Sequence, residues 1–447
     1  MTTEPRLSDL IVKPNDDGWD LARQAFNLTV DQHPAMVARP SSVEEVIAVV
    51  EYARDNGLRI APQRTGHNAG PIESLADTVL LRTDNLTGIE IHPDAKLARV
   101  EAGAKWGPVS DAANEHGLLG LAGSARDVGV VGYHLGGGLS FLSRKHGLAA
   151  NSVLAIELVT ADGRVVRTDK SNDPELFWAL RGGGGNFGVV TAIEFQLYEE
   201  KEIYAGNFFF PLERASEVLH LWREWTLGMP EELTSVAKML RVPPVEEIPE
   251  PIRGRAFVTV CAVFLGREAA GAELVKPLRD LGPEMDTFAM VEPAALGYIA
   301  MDPEDPVPYL SEHLLTGELP AEAIDELVAV AGPDSGATLT MVELRHTGGA
   351  LARSDSGHGA IDTLSGSFVM FSVGALMDPS LAPVVAGQLD CVREAVEPWK
   401  AGYYANFTER PCGASAVYGE AAYPRLQAVK AEWDPNRLFV ANHDVRA

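Results

Sequence analysis

Cysteine is scarce in this chain. The three present, Cys261, Cys391 and Cys412, have no metal-ligand spacing, and an odd number cannot complete a disulfide framework, which suits a reducing compartment. Positive charge is also short: 37 Lys and Arg face 63 Asp and Glu, a formal net charge of −26. Phosphate backbones and anionic membrane surfaces would repel such a chain, so nucleic acid and membrane are excluded as partners and a small uncharged or cationic substrate fits better. No apolar run approaches the ~20 residues of a membrane span, and the start MTTEPRLSDLIVKPNDDGWD lacks a basic region followed by an apolar stretch, so the expected location is cytoplasmic. A P-loop, a G-x-S-x-G elbow and an H-E-x-x-H zinc helix are all missing.

What is present is a sizeable apolar fraction, 46% of 447 residues, enough for two or three domains. Up to about residue 205 the chain alternates short strand-like runs (LARVEAGAKW, LAIELVTADGRVVRTD, VVTAIEFQLY) with helical ones (PVSDAANEHG, PELFWALR). From about 206 to 400, amphipathic helices such as ERASEVLHLWREWTLG and PSLAPVVAGQLDCVREAV alternate with strand candidates such as AFVTVCAVFLG and GSFVMFSVGAL. The pattern predicts an α+β fold. RVPPVEEIPEPIRG reads as a surface loop because strand signals resume after it, and GEAAYPRLQAVKAEWDPNRLF reads as a terminal helix stopped at Asp434-Pro435.

Three glycine clusters ask for a common explanation: PQRTGHNAG at 62–70, GSARDVGVVGYHLGGGLSFLSRKHGLAANSV at 123–153, and LRGGGGNFGVVTAIEF at 180–195. Each joins apolar elements, unlike a flexible linker, so the clusters read as loops that hold a ligand against the backbone. The third contains G-x-G-x-x-G at Gly183, Gly185 and Gly188, but a helix precedes it and a strand follows. The Rossmann fingerprint needs the opposite order.

RTGHNAG, VGVVGYHLGGGLSFLSRKHGLAANSV, ELFWALRGGGGNFGVVTAIEF, YYANF and YGEAAYPRLQAVKAEWDPNRLFVANHDV together resemble, in order and from about 30 to 447, the berberine bridge enzyme-like branch of the vanillyl-alcohol oxidase flavoproteins. The resemblance implies a two-lobed PCMH-type FAD-binding domain (1–205), a substrate-binding domain of antiparallel sheet backed by helices (206–407), and a C-terminal segment (408–447) returning to the FAD domain. It implies FAD held by Arg64, Thr65, Gly66, His67, Asn68, Ala69, Gly123, Ser124, Val128, Gly129, Gly132, Gly137, Gly138, Gly188, Val190 and Asn442.

In such proteins a loop histidine is bonded through a ring nitrogen to the flavin 8α-methyl group, and His67 occupies that position. Ala125 stands where many relatives carry a second linking cysteine, so a single bond is expected. Val128 matches a position beside flavin C4a where valine admits dioxygen, which favours an oxidase that makes hydrogen peroxide over a dehydrogenase or a drug-binding flavoprotein with little turnover. Tyr404 and Asn406, in a Y-x-N-F motif, are the expected catalytic pair. A tyrosine with pKa near 10 needs a cation or hydrogen bonds to act as a base, and Arg345 and His346 are the nearest candidates in sequence pattern. His134 and His146 read as structural. Trp222, Trp225, Tyr298, Tyr309 and Phe371 are expected to supply aromatic pocket surface. The substrate, a small molecule with a CH–OH or CH–N bond, and the oligomeric state stay open.

Overall fold

Along Leu233–Arg241 successive side chains alternate between two surfaces, as the pleat of a strand requires. Ala237 and Met239 join Val258, Val260, Val342, Leu344, Phe368 and Met370 in one apolar core, while register pairs Lys238 with Glu343 and Val236 with Arg345 on the opposite face. The computed structural model describes residues 7–446 except Glu73 and Glu247. Among them this strand belongs to a nine-stranded antiparallel sheet with the order Met285–Asp286, Ile203–Pro211, Ala256–Leu265, Leu233–Arg241, Met341–His346, Phe368–Ala375, Tyr309–Thr316 and Lys400–Gly402, with Ala289–Met290 also on Ile203–Pro211.

Helices Ala215–Thr226, Glu268–Arg279, Ala321–Ala331 and Ala382–Val396 carry residues of that apolar core and back the sheet. Ala215, Val218, Leu219, Trp222 and Trp225 are buried at helical spacing. Trp222 donates its indole N–H to Ser235 Oγ at 2.9 Å, and Trp225 donates to Leu274 O at 2.7 Å. Both tryptophans therefore lie in the core behind the sheet and do not line a pocket, contrary to the sequence expectation. Their apolar bulk and helical spacing signalled burial, but not against which face.

The remaining residues build two smaller lobes. One is a four-stranded sheet in the order Ile11–Val12, Met36–Ala38, Thr78–Arg82, Arg59–Gln63, its last three strands parallel. The other is a five-stranded antiparallel sheet in the order Ile89–His92, Leu97–Glu101, Val189–Gln196, Val153–Val159, Val165–Asp169. Helix Pro174–Leu180 precedes the third glycine cluster and strand Val189–Gln196 follows it, the order read from the sequence.

The C-terminal helix Ala414–Trp433 is kinked at Gly419. It docks on that cluster: Tyr418 donates to Gly183 O at 3.1 Å, and the buried Lys430 ammonium donates to Asn186 O and Asp434 Oδ2, each at 2.7 Å. A side chain at Gly183 would place its Cβ 2.3 Å from Ala179 O and 2.6 Å from Leu426, so glycine is required by close packing there. The tail then pairs with the first lobe through Ile60 N–H to Leu438 O (2.7 Å) and Val440 N–H to Ile60 O (2.8 Å).

Candidate active site

Strand Arg59–Gln63 delivers the chain into the loop at 64–70. Gly66 has φ +78°, and a Cβ there would lie 2.8 Å from the Gln63 amide nitrogen and 3.0 Å from Ala25. The loop presents His67, whose ring stacks on Phe26 with centroids 3.7 Å apart and planes 27° apart. Its Nε2 and Asp127 Oδ2 are hydrogen-bonded at 2.8 Å. The Asp127 side chain is 3% exposed and that of His67 25%, so the carboxylate anchors the ring from the buried side. The sequence reading passed over Asp127. The only available signal was an acidic residue two places after Ala125 in a loop otherwise fit for binding.

Asn68 donates to Ala405 O at 2.7 Å, and His443 Nε2 meets the same oxygen at 2.9 Å. One carbonyl thus ties the histidine loop, the Y-x-N-F motif and the C-terminal tail together. Asn442 is the neighbour of that tail histidine. Tyr404, 1% exposed, heads the motif. Asn406 donates to the Tyr404 oxygen at 3.1 Å and to Tyr133 O at 2.9 Å. A Cβ at Gly136 would lie 1.8 Å from Asn406 Oδ1, so this part of the second glycine cluster lets the motif approach. Burial pushes the Tyr404 phenol above the ordinary tyrosine range, while Asn406, Arg345 and the backbone N–H groups of Leu139 and Gly138 pull it down. Burial outweighs them, so the phenol stays above its ordinary range, yet every polar neighbour named there is a donor or a cation and works against that rise. The Tyr404 backbone N–H donates to His313 Nε2 at 3.1 Å, and burial lowers the His313 pKa to about 3.

Arg345, on strand Met341–His346, faces the motif. Its guanidinium carbon is 5.1 Å from the Phe407 ring centroid, and the Tyr404 ring packs on the same phenylalanine, also at 5.1 Å. Arg345 pairs closely with Glu343 Oε1 and donates to Ser124 Oγ at 3.4 Å. Glu343, fully buried, has Lys238 Nζ 3.3 Å from Oε2, an ion-pair distance without hydrogen-bond geometry. His346 points elsewhere: Arg144 Nη1 donates to its Nε2 at 2.6 Å, and burial together with the Arg144 charge lowers its pKa to about 3. The expectation that either residue of the pair could assist Tyr404 therefore resolves to Arg345. Strand alternation separates the two side chains.

The other expected residues divide by location. Arg64 donates to Gly103 O at 2.6 Å and lies against Gly129; the Val128 carbonyl accepts from Trp106 N–H at 3.0 Å; Thr65 O accepts from Phe26 N–H at 2.9 Å. Ala69 is buried, and Gly123 and Gly138 both pack on Tyr133 while Gly137 packs on Tyr404. Nothing lies within 4 Å of a Cβ built on Gly132. Gly188, just ahead of strand Val189–Gln196, and Val190 within it pack against Val159 and Leu158 of the five-stranded sheet.

His134 is packed between Trp106 and Phe195 and bonds Val130 O at 2.8 Å; His146 pairs with Glu200 at 2.8 Å. Phe371 stacks near Phe407 at 4.7 Å, whereas Tyr298 is 58% exposed under Arg126. Tyr309 donates to Glu409 Oε1 at 3.2 Å, and burial raises the Glu409 pKa to about 7.

These residues fit a flavin dinucleotide. Among the described residues the backbone N–H groups of Thr65 to Asn68 donate to no protein acceptor, and Asn68 Oδ1 and Asp127 Oδ1 are buried without partners. The two buried oxygens need a donor, and the half-buried N–H groups are free for an acceptor; a polar ring edge and a pyrophosphate supply both kinds. Residues 34–169 match the FAD binding domain family, and 397–446 match the berberine and berberine like family. The (R)-6-hydroxynicotine oxidase of Paenarthrobacter nicotinovorans is 30% identical over all of this chain and 98% of its own length. A chitooligosaccharide oxidase of Gibberella zeae is 25% identical, covering 94% of this chain and 89% of that protein. The structure of 6-hydroxy-D-nicotine oxidase from Arthrobacter nicotinovorans superposes with a TM-score of 0.83 at 27% identity, with 97% of each chain covered. Physcomitrella patens BBE-like 1 shares the fold, with a TM-score of 0.85 over 98% of each chain at 20% identity.

Fold, loops and matches define an FAD-linked oxidoreductase. The chain belongs to the berberine bridge enzyme-like family of FAD-linked oxidases.

Proposed function

We propose that this enzyme holds FAD through a single covalent bond to His67 and oxidises a CH–OH or CH–N bond of a small organic substrate, with dioxygen as electron acceptor and hydrogen peroxide as second product. Residues 1–205 and 408–447 would bind the cofactor, and 206–407 the substrate. Thr65 to Asn68 would cradle the pyrophosphate with their free N–H groups, Arg64 and Ala69 flanking them, and residues 123–138 would flank the ring. When bound, FAD supplies a two-electron acceptor for hydride.

Tyr404 then removes the proton from the substrate O–H or N–H as hydride leaves. Asn406 and the N–H groups of Gly138 and Leu139 hold the phenolate oxygen, Arg345 balances its charge, and the surrounding Leu139, Leu148, Leu315 and Val369 exclude water from it. The observation that carries this reading is the donor-only surround of the Tyr404 oxygen. Tyr404→Phe should keep the flavin bound while slowing anaerobic reduction about 100-fold or more. Unchanged reduction would transfer the role of base to Glu343, whose Oε2 accepts no hydrogen bond.

Val128 supports the oxidase assignment through its match to the oxygen-admitting position. Ala125 supports the single bond: Cys261 is buried in the large sheet and Cys391 is exposed on a helix. The substrates named for relatives, hydroxynicotine and oligosaccharides, form the first panel to test by peroxide release.

A further inference from the structure

We infer that Asp127 is the positioning residue for flavin attachment: it holds the Nε2 side of His67, leaves the Nδ1 lone pair free, and so directs the bond to Nδ1. This rests on the covalent reading above. Three observations support it independently of that reading. The hydrogen bond between Asp127 Oδ2 and His67 Nε2 is 2.8 Å. The carboxylate is almost wholly buried, and its other oxygen has no protein partner. Phe26 fixes the ring plane from one face at 3.7 Å, so the ring cannot turn freely to exchange its nitrogens.

A carboxylate accepting from Nε2–H selects the tautomer in which Nδ1 is unprotonated, because in a neutral imidazole only one nitrogen carries hydrogen. It also stabilises the positive charge that builds on the ring as Nδ1 attacks, an electrostatic effect strengthened by burial.

The bond changes balance as follows. A C–H bond of the flavin 8α-methyl group breaks, its proton leaves to solvent, and the bond from Nδ1 to that carbon forms. The Nε2 proton passes to Asp127. The electron pair of the broken C–H bond leaves the ring system reduced by two electrons, and dioxygen takes that pair with the two protons as hydrogen peroxide. His67 ends as a neutral imidazole alkylated at Nδ1, with Nε2 facing Asp127.

The test uses the full-length protein and reads attachment, not turnover. Wild type, Asp127→Ala and Asp127→Asn are incubated with FAD in air, precipitated with acid at intervals, and assayed for flavin in pellet and supernatant. The histidyl-flavin peptide is then analysed for which ring nitrogen is alkylated. Wild type should be linked at Nδ1. Asp127→Ala should keep FAD through gel filtration yet attach it at least about tenfold more slowly, the rate equivalent of ~1.4 kcal/mol of barrier, or through Nε2. Asp127→Asn, which keeps an oxygen acceptor without the charge, should fall between them.

Attachment of Asp127→Ala at the wild-type rate and through Nδ1 would overturn the inference while leaving His67 as the attachment site. A wild-type link at Nε2 would overturn it even if the variants fail to fold, since Asp127 occupies that nitrogen. Release of all FAD from wild type into acid would instead remove the covalent reading, and the role of Asp127 with it.

Discussion

Lowering the pH from about 6.5 to 4.5 should strongly destabilise this protein by charging histidines that the fold keeps neutral. His134, His313 and His346 have pKa values lowered to about 4, 3 and 3, chiefly by burial. Two of them have a nitrogen committed as acceptor: His313 Nε2 takes the Tyr404 N–H, and His346 Nε2 takes an Arg144 N–H. Because folded values below the unfolded ~6.5 mean that unfolding takes up protons, the stability they confer is present above pH 6.5 and is lost as pH falls.

Glu409 acts with opposite sign. Its pKa is raised to about 7 by burial, so its contribution is full below the unfolded value and is lost as pH rises through 7. Near pH 5.5 three histidines take up about one proton each and Glu409 releases one, a net uptake of about two and a slope near 2.5 kcal/mol per pH unit. Between pH 6 and 4.5 that removes roughly 4 kcal/mol, a large share of the 5–15 kcal/mol typical of a folded domain.

Urea unfolding of the holoprotein, followed by tryptophan fluorescence and flavin release, measures the loss directly. His134→Phe, which suits the ring stack with Trp106 and Phe195, should reduce the slope by about 1.3 kcal/mol per pH unit. Urea midpoints that agree at pH 6.5 and 4.5, or that rise on acidification, would refute the assignment of these histidines as neutral.

Replacing Val128 by Leu adds one methylene at the proposed oxygen entry, so flavin reduction should survive while stopped-flow reoxidation slows about tenfold, ~1.4 kcal/mol of barrier; a wild-type reoxidation rate would remove the residue-level support for an oxidase. Arg345→Met should move the pH profile of flavin reduction upward by roughly 1 to 2.5 units, the effect of a unit charge 5–10 Å away at an effective dielectric of ~20, and an unmoved profile would exclude Arg345 as the charge that favours phenolate. Losing the Glu343 partner should also destabilise that variant by about 3–5 kcal/mol, so its pH profile is measured with a urea midpoint in parallel. Ala125→Cys should create a second mass-stable link to the flavin if the second glycine cluster lies where the resemblance implies; a free thiol in the flavin-loaded variant would contradict that alignment.

The α+β architecture was legible because alternation and helical spacing carry it locally. AFVTVCAVFLG reads as a strand and becomes Ala256–Leu265, and PELFWALR reads as a helix and becomes Pro174–Leu180. Motif residues were legible for the same reason: His67, Asn68 and Tyr404 to Phe407 each sit in a short, distinctive stretch, and one carbonyl oxygen at Ala405 joins them. Facing relations were not legible. Trp222 and Trp225 have the composition of a pocket wall but the packing of a core, and only the sheet register decides which face they meet. Asp127, Lys238, Glu343 and His313 escaped notice because each gains its role from a partner far away in the chain, Lys238 from Glu343 across paired strands and His313 from the Tyr404 backbone. A single charged residue in a strand carries no local signal of the neighbour that register will bring.

The most direct test of the account is the intact mass of the denatured, full-length holoprotein together with the mass of its His67 peptide. A chain heavier by one FAD, with the whole addition on the peptide containing His67 and none on Cys261, Cys391 or Cys412, is the expected result. A chain of unmodified mass, with all the yellow colour in the acid supernatant, would contradict it.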